Sequence, residues 1–286
     1  MGSEIVPRKA AMENLRNLFT SNRDAIAAAI PRHMDPDRLL RIALTTARNT
    51  PRLLDCTPYS VMAAVMQAAQ VGLEPDNSLL GHGNLIPFKN KKSGRYEAQF
   101  VPGYKGLIDL AMRSGKVVGV MPRVVHQRDA YDWEYGLNPK LTHQPYRPQP
   151  GDEEGAAGEV VAYYCVVTLT SGHKEFRWMW KHEVDAIRRQ SPAGRMKDGP
   201  WVTHPEQMGM KTAVRHTLKY MPLSPEVQRA VAMDEMFDAG IPQPSMPPID
   251  LPDTNGDLGT EPDLDTLLDE GDGHAEVDNG LFPPGQ

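Results

Sequence analysis

Glu159-Val160-Val161-Ala162-Tyr163-Tyr164-Cys165-Val166-Val167-Thr168-Leu169-Thr170-Ser171-Gly172-His173-Lys174-Glu175-Phe176-Arg177-Trp178-Met179-Trp180 holds two runs of strand-forming residues on either side of Ser171-Gly172. β-Branched and aromatic residues joined by a short Gly-containing turn predict an antiparallel hairpin over Glu159 to Thr170 and Lys174 to Trp180. Side chains alternate across a strand, so Phe176, Trp178 and Trp180 are assigned to the core and Arg177, Met179 and Lys181 to the open face.

Further strands are expected upstream, at Lys116 to Gln127 and Tyr131 to Tyr135. Gly83 to Phe88 and Arg95 to Val101 read as two more around the basic tip Lys89-Asn90-Lys91-Lys92-Ser93-Gly94. Between these sets Gly103 to Ser114 reads as a helix closed by Gly115. Towards the N-terminus, Lys9 to Ala29 reads as helix stopped by Pro31. Asp35-Pro36 and Thr57-Pro58 each place a capping side chain before a first-turn proline, opening helices to about Arg48 and Val71. His182 to Gln190, Pro205 to Tyr220 and Pro225 to Ala239 complete the pattern. The expected class is α+β: N-terminal helices, a central, mostly antiparallel sheet with a hairpin, and C-terminal helices.

Charge divides the chain unevenly. The formal net is −6, yet no Lys or Arg follows Arg229, and fourteen acids lie between Asp234 and Asp278. Residues 1–233 carry 31 basic and 23 acidic residues, a net of +8 that suits contact with nucleic acid. Residues 240–286 contain eight Pro, seven Gly and one aromatic among 47. Such a segment cannot bury enough apolar area to offset its ordering entropy, so a disordered acidic tail at 240–286 is expected beside a folded body at 1–239. Within it, Asp263 to Glu270 mixes leucines with acids and is weighed as a partner-docking piece against a plain solubilising tail.

Several function classes drop out. The longest uncharged apolar run is the ten residues Val160 to Leu169, about half of a membrane span. Glu4, Arg8 and Lys9 stand beside no apolar stretch, so no secretory signal is read and a cytoplasmic location is expected. Cys56 and Cys165 form neither a disulfide framework nor a zinc pattern.

Lys211, Arg215 and Lys219 stand at i, i+4 and i+8 and form one helical stripe about 12 Å long. No acid lies between Met208 and Pro225, which favours a row of phosphate contacts over an ordinary solvated face. Gly103-Tyr104-Lys105-Gly106 opens a helix, where amides suit a phosphate, Gly106 lets a strand approach and Tyr104 can stack on a base. An equal alternative is a plain turn with Lys105, Asp109 and Arg113 paired along the helix. It is not a nucleotide-binding P-loop, because Val117 follows Gly115-Lys116 and Leu110 stands where the first Gly belongs. Asp129, Asp132 and Glu134 offer carboxylates to a metal, but no further acid is placed to complete a nuclease site. No catalytic residue, metal site or cofactor is expected.

The order of motifs resembles the RecT family of phage-type single-strand annealing proteins from about residue 26 to 238. The resemblance is carried by Ile30-Pro31-Arg32-His33, Ala68-Ala69-Gln70-Val71-Gly72-Leu73-Glu74-Pro75, Leu85-Ile86-Pro87-Phe88 and Gln99. It continues with Gly103-Tyr104-Lys105-Gly106-Leu107-Ile108-Asp109-Leu110, His143-Gln144-Pro145, Pro200-Trp201 and Met210-Lys211-Thr212-Ala213-Val214-Arg215, and ends at Met221-Pro222-Leu223-Ser224. It implies ATP-independent annealing of complementary strands by an oligomer, ring or helical filament, in homologous recombination of phage or prophage DNA. It also implies a RecE-type 5′→3′ exonuclease as partner; a host single-strand-binding protein is a further candidate. By the same resemblance Gln99, Tyr104, Lys105, Lys211 and Arg215 fall in stretches that line the DNA groove. Arg113 and Lys219 are added from helix spacing alone. The rival readings are a protective single-strand binder that does not anneal and a metal-dependent nuclease.

Overall fold

The computed structural model describes residues 8–31, 34–75, 81–90, 93–153, 155–197, 199–241 and 243. Apart from residues 240, 241 and 243, the expected disordered tail, with its 263–270 piece, and the lysines at 91 and 92 lie outside the described residues.

Three helices begin the chain: α1 (Arg8–Ser21), α2 (Arg23–Ala29) and α3 (Pro36–Asn49). The single helix expected over Lys9 to Ala29 is in fact two. Asn22 is buried and its amide Nδ2 donates to the Leu18 carbonyl at 2.8 Å, a side-chain bond that competes with the helical ladder. Asp35 caps α3 by accepting from the Asp37 amide at 2.9 Å, with Pro36 in the first turn, as read from sequence. A 3₁₀ turn at Pro51–Asp55 leads to α4 (Pro58–Gln70). Ala64, Ala68 and Ala69 of α4 are buried, because α1 and the strand Tyr96–Pro102 lie against it.

β1 (Gly83–Lys89) and β2 (Tyr96–Pro102) form an antiparallel pair, with Ile86 opposite Gln99. α5 (Tyr104–Arg113) follows. Then come β3 (Val117–His126), β4 (Ala130–Glu134), β5 (Lys140–Gln144), β6 (Val160–Leu169) and β7 (Lys174–Trp180). The opening hairpin is present: β6 and β7 pair antiparallel from Ala162 opposite Trp180 to Thr168 opposite Lys174. The order β3-β6-β7 makes one three-stranded sheet, and β4-β5 is a separate ribbon. The expected α+β class with antiparallel pairing is present, the strands of the described residues being divided among three small sheets. β5 was not expected, because its five residues hold one apolar side chain, Leu141, and carry almost no periodic signal.

The ribbon decides how the sheet is buried. Trp178 lies parallel to Tyr164, with ring centroids 5.9 Å apart, and stacks on Trp133 of β4 at 5.8 Å. Phe176 and Trp178 thus form a second apolar cluster beneath the ribbon, as assigned, while Trp180 is half-buried. The reverse face is also covered, by α6 (Lys181–Gln190) and α8 (Pro205–Leu218). Met179, expected on an open face, is consequently buried at 4 % exposure in the main core, whereas Arg177 is exposed. Where the sheet is covered on both sides, as at Trp178 and Met179, alternation separates two cores rather than core from water. α7 (Pro200–Thr203) and α9 (Pro225–Ala239) complete the described helices, and none of these is long and apolar enough to cross a membrane.

Candidate nucleic-acid interface

The α5 N-terminus is held against the chain just before β1. A Cβ at Gly103 would run into the Gly81 carbonyl, and one at Gly106 into the His82 carbonyl. The Gly103 amide donates to the His82 oxygen at 2.9 Å across this close approach. Gly106 was read as the place where a strand comes near; the backbone that comes near is the protein's own. The consequence is positional, because this contact fixes where Tyr104 and Lys105 stand.

They stand on the wall of a cavity of about 490 Å³. α8 supplies Gln207, Met208 and Lys211 to the same cavity, β1 and β2 supply Ile86 and Val101, and α9 supplies Phe237 and Asp238. Its charged lining, Lys105, Lys211 and Asp238, is net positive. A second cavity of about 560 Å³ between α3 and α5 contains Asp35, Glu74 and Asp109 against Arg38 and Arg113, and is net negative. Of the two, only the first suits a polyanion.

Tyr104, Lys105 and Lys211, 107 positions apart at the extremes of that set, therefore meet at one site. The other sequence-derived residues do not join them. Gln99 is 6 % exposed on β2. Arg113 lines the second cavity, pairs with Asp109 at 2.9 Å and donates to the Gly72 carbonyl at 2.8 Å, which is the paired-helix alternative. Lys219 pairs with Glu235 at 3.1 Å.

The open cationic stripe on α8 is corrected. Lys211 Nζ lies 2.5 Å from Asp234, and Arg215 Nη1 lies 3.0 Å from the same carboxylate and also contacts Asp238. Arg215 is 3 % exposed, and Ser191 Oγ donates to Asp238 at 2.9 Å from the other side. Burial opposes the charge on Arg215, but Asp234 and Asp238 outweigh it and its pKa is raised. The acids come from α9, outside the window in which α8 was read. The +8 balance over 1–233 leaves them out. Assigned to the body, they leave 31 basic against 26 acidic residues over 1–239, a net of +5. Beside this network, burial first and Arg215 second push His216 down to about 4.

The acids considered for a metal also have other work. Asp129 accepts from the His126 and Tyr146 amides at 2.7 Å each and lies 3.0 Å from His143 Nε2, whose Nδ1 is 3.1 Å from the Tyr164 hydroxyl. Burial opposes its ionisation, yet these bonds prevail and its pKa is lowered. Asp129 thus ties the β3–β4 turn to β5 and β6. Among the described residues no group of three or more His, Cys, Asp or Glu is placed to hold a metal ion.

A cation-bearing, aromatic-edged cavity on a basic α+β body has the charge and stacking surface that suit a nucleic-acid-binding protein. Residues 37–247 match the RecT family. Protein RecT of Escherichia coli (strain K12) is 45% identical over 217 residues, covering 75% of this chain and 77% of that protein. The uncharacterized protein YqaK of Bacillus subtilis (strain 168) is 28% identical over 189 residues, 65% of this chain and 60% of its own length. The chain belongs to the RecT family, whose members are single-strand annealing proteins of DNA recombination.

Proposed function

We propose that residues 1–239 form a DNA-annealing body that pairs complementary strands without ATP, as a ring or helical oligomer, and that 240–286 is an acidic appendage to it. The observation that carries this reading is the convergence of Tyr104, Lys105 and Lys211 on one cavity wall. Cations there take backbone phosphates and the phenol offers a stacking surface, a combination suited to single strands of any sequence. Arg215 braces the wall through Asp238, and Lys219, two turns beyond Lys211 on α8, extends the contact once Glu235 exchanges for phosphate; Gln99, paired with Ile86 of the wall, is held beneath it, and Arg113, on the net-negative second cavity, stays outside the contact. Annealing is downhill, since stacking supplies about 1.4 kcal/mol per base-pair step, so neither a nucleotide cofactor nor a catalytic residue is required. One body cannot align two long strands, and self-association follows from that need.

The same reading places the protein in the cytoplasm, acting on phage or prophage DNA exposed by a RecE-type 5′→3′ exonuclease and shared with a host single-strand-binding protein. The test is annealing of two complementary labelled oligonucleotides without ATP across a protein titration. Acceleration over the spontaneous rate is expected. Inhibition with tight binding would make the protein a protective binder, and Mg²⁺-dependent loss of labelled strand would make it a nuclease.

A further inference from the structure

Phosphates account for only part of the cavity beside Tyr104. Lys105 and Lys211 are its cations, Lys211 backed by Asp234 and facing the wall's one acid, Asp238, yet much of the wall is Ile86, Val101, Met208 and Phe237, which a hydrated phosphate would leave unsatisfied. At about 490 Å³ it lies in the range of small-molecule sites, roughly 300–1,000 Å³, where apolar walls bury a ligand and a few polar groups orient it. A surface that only tracked a backbone would need a shallow row of charges and no such recess. We propose that the recess takes one nucleobase withdrawn from the single strand, its flanking phosphates resting on Lys105 and Lys211.

Chemistry favours this occupant over another. A base presents flat π-faces that stack on apolar and aromatic surfaces, and arrives with negative charge on both sides, matching apolar walls beside two cations. Apolar walls and a stacking aromatic accept every base, so capture stays independent of sequence. Removing one base per binding site interrupts stacking along the strand and prevents sliding, while the neighbouring bases stay open to a complement. Withdrawal costs least from an unpaired strand, so the recess discriminates against duplex.

The inference rests on the single-strand binding proposed above, and one experiment separates the two. Oligonucleotides with 2-aminopurine at random positions are bound to the full-length protein and quenched with acrylamide. Two populations are expected, a shielded minority of one base per binding site and an open majority. A single population, whether open or shielded, overturns the recess while leaving strand binding intact. Absence of binding to any oligonucleotide overturns strand binding itself. Ala193→Phe narrows the recess from a buried position on its wall. This variant should lose the shielded population and keep the salt dependence of binding; retention of both populations would overturn the location. Should it fail to fold, Met208→Phe narrows the same recess from a half-buried position and is read the same way.

Discussion

Arg215 separates a structural reading of α8 from a purely DNA-facing one. Its Nη1 contacts Asp234 and Asp238 together, so Arg215→Ala leaves two aspartates that Lys211 alone must balance. Asp234 is 1 % exposed and cannot recover its lost partner from water. Removing one member of a buried ion pair costs about 3–5 kcal/mol, mainly through the charge left behind. Against a typical total stability of about 5–15 kcal/mol, that is a large share. At about 2–4 °C per kcal/mol for a body of this size, the melting temperature should drop by roughly 6–20 °C. Lys211→Ala leaves Asp234 still paired with Arg215, so that variant should lose less stability. Denaturant unfolding of both variants, followed by helical circular dichroism, measures the contrast. If Arg215→Ala unfolds within about 1 kcal/mol of the parent while losing DNA binding, Arg215 belongs to the DNA face and the buried network carries no structural weight.

Lys211→Ala should reduce the slope of log affinity against log salt by about 0.7 for a single strand, read by anisotropy titrations at several salt concentrations. An unchanged slope would remove Lys211 from the phosphate path. Gly106→Ala drives a Cβ into the His82 carbonyl and should cost about 1–3 kcal/mol while displacing Tyr104 and Lys105; a variant with parental stability and DNA affinity would contradict the close approach. His216 has its folded pKa depressed from 6.5 to about 4, so the unfolded chain takes a proton that the native state refuses. Stability should fall as pH drops from about 6.5 to 4 and level off below. The ring is half-buried and partly screened, so the loss is set at roughly 2 kcal/mol. Subtracting the pH profile of His216→Gln isolates that component, and coincident profiles would refute it.

Much of the fold was legible because its signals are local. Asp35-Pro36, Thr57-Pro58 and the Ser171-Gly172 turn act on neighbouring amides, so the elements they start or join lie where the residues say. Failures fall where a local signal is weak or has a competitor. β5 has one apolar residue, and Asn22 diverts a carbonyl in the middle of an otherwise helical run. Tyr104, Lys105 and Lys211 were each legible as candidates, but their meeting at one cavity was not, because it depends on Gly103 and Gly106 clearing Gly81 and His82. The acids facing Lys211, Arg215 and Lys219 were visible in the sequence; what hid them was their place on the next helix, 16 to 23 positions away, outside the window in which α8 is read.

The sequence alone determined the element types, the antiparallel pairing, the family and the residue kinds available to a strand of DNA, since these depend on periodicity, capping and order along the chain. Tertiary structure alone decided which cations reach the cavity. Lys211 and Arg215 lie one helical turn apart with the same formal charge, yet one reaches a cavity and the other lies beneath α9. Coulomb energy and desolvation depend on distance in space and on access to water, and neither is written in sequence separation.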